Sequence, residues 1–318
     1  MALRTSQLIL FFLYPALIAA QAKQSNPISH PDPKAPYTLP ITVNEVNLTF
    51  SAVDENGLSI DDLQLSDLRL LDNGKRPARI LDLQHRTNRQ IRAGIVIDTS
   101  GSIGRSLRRN QQIASDFSTH ILRLNSDQAF VMRFDFESLI KQDWTNNSEA
   151  LTSSINTLAT DAASRLGGTA LFDALYIACH DKFSDSSSSD TGQSNFIMLF
   201  SDGNDNFSHA RMQDVIDICQ RGHTAIYVFS DEPKPSRDPG QIVLQELSQM
   251  SGGRLFYDHG DKEQLIDLRL IEQAVRNDYI LVYKPAKLKA DGSFHHIKLD
   301  SPYKAAVITT RSGYFAPR

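Results

Sequence analysis

The chain has 318 residues, enough for one large domain or two ordinary ones, and its 41% hydrophobic and 22% charged residues are the composition of a folded soluble protein. A formal net charge of -4 is close to balanced and gives no reason to expect nucleic acid or an acidic membrane surface as a partner. Cys179 and Cys219 are the only cysteines, so there is no cysteine cluster for zinc.

Residues 1–22 have the pattern of an export signal. Arg4 gives a positive start, Leu8 to Ile18 an apolar stretch, and Ala20-Gln-Ala22 small residues at the cleavage positions. The stretch is shorter than the ~20 residues that span a bilayer; a retained anchor is the competing reading. No cysteine follows it for lipid attachment, and no later segment is long and apolar enough to cross a membrane. The expectation is an exported bacterial protein, periplasmic, secreted or surface-associated, without a transmembrane span after signal cleavage. Residues 23–40 read as a proline-rich linker, with five prolines between Ser25 and Pro40.

Residues 41–88 read as a β region. Val46, Leu48, Phe50 and Ala52 alternate with polar residues, the period of a half-buried strand. Asp54-Glu-Asn-Gly57 and Asp72-Asn-Gly74 are turn signals, with short strands near Leu68 to Leu71 and Ile80 to Leu83. From residue 89 to 277 the pattern changes. Apolar runs at 93–97, 129–134, 195–200 and 224–229 alternate with segments of helical period, such as Ile103, Leu107, Ile113, Phe117, Ile121 and Leu124. Ser138 to Trp144 reads as a short edge strand, and a last helix covers 262–276. Alternating strands and helices predict an α/β fold, doubly wound, with a mostly parallel sheet flanked by helices.

Residues 278–318 return to a β pattern, with strands at Tyr279 to Tyr283, Phe294 to Leu299 and Ala306 to Thr310, and turns at Asp291-Gly292 and Ser301-Pro302. Neither terminal β region has enough strands for a core of its own. They are expected to pair with each other as a small β-sandwich into which the α/β domain is inserted; separate β appendages are the alternative. Cys179 and Cys219 lie near the ends of predicted helices. Export permits a disulfide between them, but two buried thiols fit equally well, because sequence does not give a Cα separation.

Three separated pieces carry the chemistry. Asp98-Thr-Ser100-Gly-Ser102 follows the run Ala93 to Ile97, Ser201-Asp202-Gly203 follows Asn195 to Phe200, and Gly168-Thr169 lies between them in sequence. Open α/β sheets bind ligands beyond the carboxyl ends of their strands, so the two acidic loops are candidates for one site. Magnesium takes six oxygen ligands and keeps several waters. Asp98, Ser100, Ser102, Thr169 and Asp202 offer such oxygens, and hydroxyls are neutral, so the ion stays electrophilic. A carboxylate from another molecule can then complete its coordination.

These residues resemble the metal-ion-dependent adhesion site of von Willebrand factor type A domains. The match runs through Asp98-Thr-Ser-Gly-Ser102, Thr169 within Arg165-Leu-Gly-Gly-Thr-Ala-Leu-Phe-Asp-Ala-Leu175, and Asp202 within Leu199-Phe-Ser-Asp-Gly203, over roughly residues 90–277. The flanks, with Asp291-Gly-Ser-Phe294 and Arg311-Ser-Gly-Tyr-Phe-Ala-Pro317, are similar to an exported bacterial subgroup first described from Acidobacteria. The resemblance implies a Mg²⁺ or Mn²⁺ site formed by Asp98, Ser100, Ser102, Thr169 and Asp202, and a protein partner that supplies a carboxylate. The expectation is a non-enzymatic adhesion module.

Other readings are weaker. Phosphotransfer or phosphoesterase chemistry at Asp98 needs a second aspartate two residues on, where this chain has Ser100. There is no Gly-x-Ser-x-Gly elbow, P-loop lysine or His-Glu-x-x-His helix. His295 and His296 are neighbours on a predicted strand and point to opposite faces. Gly167-Gly168 gives backbone freedom to the Thr169 loop, and Asp205 reads as a helix cap or loop residue. Trp144 and Tyr279, Tyr283, Tyr303 and Tyr314 read as packing residues. The segment from Ser184 to Asp190 reads as a solvated loop. A structural or assembly factor acting through its β region is the competing function.

Overall fold

The computed structural model describes residues 45–317 except 56, 161–167, 184–191 and 303–306. The export signal, the proline-rich segment, Arg165 to Gly167, the serine-rich loop and Tyr303 lie outside the described residues. The first half contains β1 (Val46–Val53), β2 (Arg69–Asp72), β3 (Arg79–Arg86), β4 (Gln90–Asp98), α1 (Leu107–His120), β5 (Gln128–Phe134), β6 (Ser138–Thr145) and α2 (Ser148–Asn156). After them come α3 (Leu171–Phe183), β7 (Gln193–Phe200), α4 (Met212–Arg221), β8 (Thr224–Phe229), α5 (Pro239–Ser251), β9 (Leu255–Phe256) and α6 (Asp261–Arg276). The chain closes with β10 (Asp278–Lys284), β11 (Phe294–Asp300), β12 (Val307–Thr310) and β13 (Gly313–Phe315).

Six strands form the central sheet in the order β6-β5-β4-β7-β8-β9. All neighbours are parallel except the edge strand β6, which runs antiparallel to β5. The apolar runs of the sequence are its inner strands. Both of their faces are buried, which explains why they read as continuous rather than alternating. Ile95 and Ile97 pack under α1, α2 and α6, while Val96 between them packs under α3, α4 and α5. The fold is therefore doubly wound, as expected. The connection from β4 goes to β5 on one side, and β7 joins on the other, so strand order reverses between β4 and β7. A crevice opens at such a reversal, beyond the carboxyl ends of the two strands.

The helices start where local chemistry permits. Asn147 accepts the Glu149 and Ala150 N–H groups ahead of α2, and Asp238 accepts the Gly240 N–H ahead of α5, with Pro239 at its first position. The periodic segment expected from Ile103 to Leu124 is shorter as an α-helix. Residues Gly101–Arg105 form a 3-10 turn, and α1 begins only at Leu107. Gly101 and Gly104 weaken α-helix there, and the Ser106 hydroxyl donates to Asp231 instead of capping α1.

Strands from the two terminal regions pair with each other. One antiparallel sheet has the order β12-β1-β10-β3 and another the order β13-β11-β2. Leu48, Phe50, Leu70, Leu281, Tyr283 and Leu299 share their core. Asp72-Asn-Gly74 is a tight turn with Asn73 and Gly74 at positive φ, the requirement that selects Asn-Gly. Buried Asp72 accepts hydrogen bonds from the Tyr283 and Tyr314 hydroxyls and contacts His295 Nδ1 at 2.7 Å. His296, the next residue, is exposed. Cys179 and Cys219 form a disulfide, with Cα atoms 5.0 Å apart, which ties α3 to α4. Among the described residues no helix is long and apolar enough to cross a membrane.

Candidate metal centre

Asp98 ends β4 and is fully buried. One carboxylate oxygen accepts the Ser100 N–H at 2.8 Å, and the other accepts the Ser201 hydroxyl at 2.8 Å. Ser201 immediately follows β7, so this bond closes the β4–β7 crevice from below. The hydroxyls of Ser100 and Ser102 lie 3.2 Å apart, with Ser100 buried and Ser102 exposed. Asp202 is half-buried, and its Oδ1 accepts the Asn204 N–H. Gly203, at φ 83°, lies against Gly240 in the first turn of α5, where a Cβ on either residue would strike the other's backbone or that of Asp202. That close approach holds the Asp202 loop in place.

The Thr169 loop is tied to the same set of strands. Thr99 donates its N–H and hydroxyl to the Phe134 carbonyl at the end of β5, and the Ala170 N–H donates to the carbonyl of the next residue, Asp135. Asn206 binds Thr169 twice: its Oδ1 accepts the Thr169 N–H at 2.7 Å, and its own N–H donates to the Thr169 carbonyl. Three loops distant in sequence are thus stitched into one surface. Asp98, Ser100 and Ser102 form one hydrogen-bonded group, and Asp202 is close enough to act on it electrostatically. The Thr169 hydroxyl makes no hydrogen bond to the other four residues. Asn206 and Asp135 carry no signal of their own in the sequence, whereas Ser201 lies in the Ser-Asp-Gly piece but its bond to Asp98 is set only by the fold. Asp205 accepts from the Phe172 N–H in the first turn of α3 and from the Ser208 hydroxyl, a helix-cap role, one of the two readings, cap or loop, that the sequence offers.

Burial pushes the Asp98 carboxyl up to about 6, against the hydrogen bonds from Ser100 and Ser201, and the charge of Asp202 adds to the rise. Among the described residues no basic side chain pairs with it. No group of three or more His, Cys, Asp or Glu among those residues is arranged to hold a metal. A cation held here would therefore depend on hydroxyls as well as carboxylates. Such a set of hard oxygen donors fits Mg²⁺ or Mn²⁺, and the buried, uncompensated Asp98 is the group that a cation would relieve.

No curated protein matches the chain. Among solved structures it is similar to the conserved hypothetical protein BatB from Bacteroides thetaiotaomicron, at 15% identity and TM-score 0.45 over 57% of this chain and 98% of that one. It is also similar to proximal thread matrix protein 1 from the mussel byssus, described with a zinc-occupied MIDAS motif, at 15% identity and TM-score 0.45 over 64% of this chain and 50% of that one. A von Willebrand factor type A protein from Catenulispora acidiphila matches at 12% identity and TM-score 0.43 over 74% and 72%. Residues 94–269 match the family model of the von Willebrand factor type A domain, more than half of the chain. The chain belongs to the von Willebrand factor type A domain family, whose members are typically metal-dependent protein-interaction modules.

Proposed function

We propose that the chain is an exported, non-enzymatic binding module whose Asp98, Ser100, Ser102, Thr169 and Asp202 together hold Mg²⁺ or Mn²⁺ and capture an acidic group of a partner protein. The observation that carries this reading is the fully buried Asp98 carboxylate, clamped by Ser100 and Ser201, beside a second acid and with no paired base among the described residues. When bound, the cation supplies an electrophilic position that a carboxylate from outside can fill. The chain's own residues prepare that position. Asp98 and Ser100 form its buried floor, Ser102 is exposed and Asp202 half-buried, and Asn206 holds the Thr169 backbone in register. Residue 100 is a serine where a phosphoryl-transfer centre would need a second carboxylate, which supports binding over turnover.

Export rests on the pattern of residues 1–22 and is supported by the Cys179–Cys219 disulfide, a bond that persists in oxidising compartments. Calorimetric titration with Mg²⁺ and Mn²⁺, against the Asp98→Ala/Asp202→Ala double variant, tests the site. The wild-type protein is expected to bind and the variant to lose binding. Equal heats from the two proteins would remove the proposed site.

A further inference from the structure

At the opposite end of the parallel strands, a cavity of about 90 Å³ lies between the amino ends of β7 and β8, the carboxyl end of α6, and the sheet containing β1, β3 and β10. Arg86, Arg89 and Arg311 line it, and Asp278 is the one carboxylate among the described lining residues. Asp278 is shared: one oxygen accepts Arg86 Nε at 2.6 Å, and the other accepts Arg86 Nη2 and Arg89 Nη1, each at 2.7 Å. Among the described residues Arg311 pairs with no carboxylate. Its Nη2 donates to the Asn47 carbonyl, and its guanidinium lies 5.7 Å from the Tyr314 ring centroid. Two guanidiniums thus share one acid, and a third, Arg311, lines the same cleft.

The donors of Arg89 and Arg311 are not all used among the described residues. Arg89 is only 8% exposed, yet its Nε has no hydrogen-bond partner among the described residues, and the same is true of Arg311 Nε. A buried, unpaired guanidinium donor is expensive, because it loses water without gaining a partner. Burial pulls Arg89 and Arg311 below the ordinary arginine value, only partly offset for Arg89 by Asp278. His223, at the rim in a left-handed backbone conformation (φ 49°), is held below its ordinary value by burial and by the three arginines.

We propose that this cleft is an anion-binding site for a small oxyanion of the phosphate class, free or as the terminal monoester of a larger molecule. Arg89 and Arg311 both line the cleft and each keeps an Nε donor without a partner among the described residues, on guanidiniums of the kind that match phosphate oxygens, while Asp278 pairs with Arg86 and Arg89. A volume of about 90 Å³ is room enough for an anion of that size. The site is chemically independent of Asp98 and needs no divalent cation.

The experiment titrates the full chain, stripped of divalent cations, with inorganic phosphate and in a separate arm with glycerol phosphate, using potassium chloride at matched ionic strength as the control. Phosphate is expected to raise the melting temperature above the chloride control and to give a saturable heat. Arg311→Gln is expected to weaken binding about tenfold or more, the loss of one charge-assisted fork. Arg89→Lys, which keeps the charge opposite Asp278 but removes the fork, serves as the second variant if either fold is suspect by circular dichroism. Asp98→Ala is expected to bind phosphate as the wild type does. Binding of glycerol phosphate as well identifies the monoester as the source, and its refusal identifies the free anion; both sustain the site. No effect of phosphate beyond that of chloride, or equal affinity in wild type, Arg311→Gln and Arg89→Lys, overturns it.

Discussion

At the carboxyl ends of its parallel strands this protein gathers Asp98, Asp202 and the hydroxyls of Ser100, Ser102 and Ser201; at the amino ends it gathers Arg86 and Arg89 on Asp278, Arg276 on Asp127, and Arg311 along the same cleft as Asp278. One sheet therefore has an acidic pole and a basic pole. The comparison shows how burial is tolerated in each. Arg276 is completely matched: it pairs with Asp127 and Glu272 and donates to the carbonyls of Arg89 and Ile121. Among the described residues Asp98 has hydrogen bonds but no base, and Arg89 and Arg311 have more donors than acceptors. A fully satisfied buried ion pair anchors structure. Groups buried with part of their capacity unused are where a ligand has something to gain.

The sharpest way to break this distinction is to damage the matched pair. Arg276→Ala leaves the buried Asp127 charge without its guanidinium and should cost about 3–5 kcal/mol in urea unfolding. Burial alone would raise the Asp127 carboxyl, but Arg276 and the N–H groups of Ile91 and Arg123 outweigh it and hold it below its ordinary value. A carboxyl depressed in the folded state stabilises above its unfolded value of about 3.9 and loses that contribution as pH falls through the folded value. The wild-type protein should therefore lose stability below about pH 4, and Arg276→Ala should lose less over the same range. Unfolding curves collected from pH 7 to pH 2 decide it; parallel curves would mean that the pair contributes nothing.

Next in size is the disulfide. Cys179 and Cys219 are 40 residues apart in sequence and join the two helices that follow the Thr169 and Asp202 loops. Replacing both by alanine should cost about 2–4 kcal/mol, through the loop freed in the unfolded chain. A melting temperature unchanged by reductant would contradict the bond.

How much of this was legible before the fold was known depends on how local each determinant is. Asp98, Ser100 and Ser102 sit within one loop, and the continuous apolar runs around them announced buried strands, so both their type and their place at strand ends could be read directly. Edge strand β6 and the two histidines followed from periodicity alone. Ser201, Asn206 and Asp135 could not be read in the same way, because their roles are set by which strands become neighbours. The same holds for Arg89 and Arg311, which line one cleft only because terminal strands β1, β10 and β12 close over the amino ends of β7 and β8. The start of α1 was misjudged because helical periodicity ran through a Gly-rich 3-10 turn. The cysteines stayed open until the packing of α3 on α4 gave them a separation.

A smaller effect with the opposite sign tests the acidic pole. In the metal-free protein Asp98→Asn removes a buried charge that folding holds near a pKa of about 6, so it should stabilise the fold by up to about 3 kcal/mol at neutral pH. The same variant should lose Mg²⁺ binding. Stability gained while function is lost is the signature of a binding group kept at a structural cost. Denaturant curves with a chelator present read the first effect and calorimetry the second; destabilisation of the metal-free variant would show that Asp98 is a structural acid.

The gentlest probe separates positioning from ligation. Asn206 is itself exposed, but its side chain accepts the Thr169 N–H and its backbone returns a bond to the Thr169 carbonyl. Asn206→Ala removes only the side-chain half of that clasp, so the fold should lose no more than about 1 kcal/mol. If Thr169 supplies a hydroxyl to the cation, loosening its loop should still weaken Mg²⁺ about tenfold, as losses of supporting hydrogen bonds around metal sites do. Asn206→Asp keeps an acceptor for the Thr169 N–H and should restore most of the affinity. Weakening in both variants would point instead to the Asn206 amide itself, and unchanged affinity in both would place Thr169 outside the coordination set.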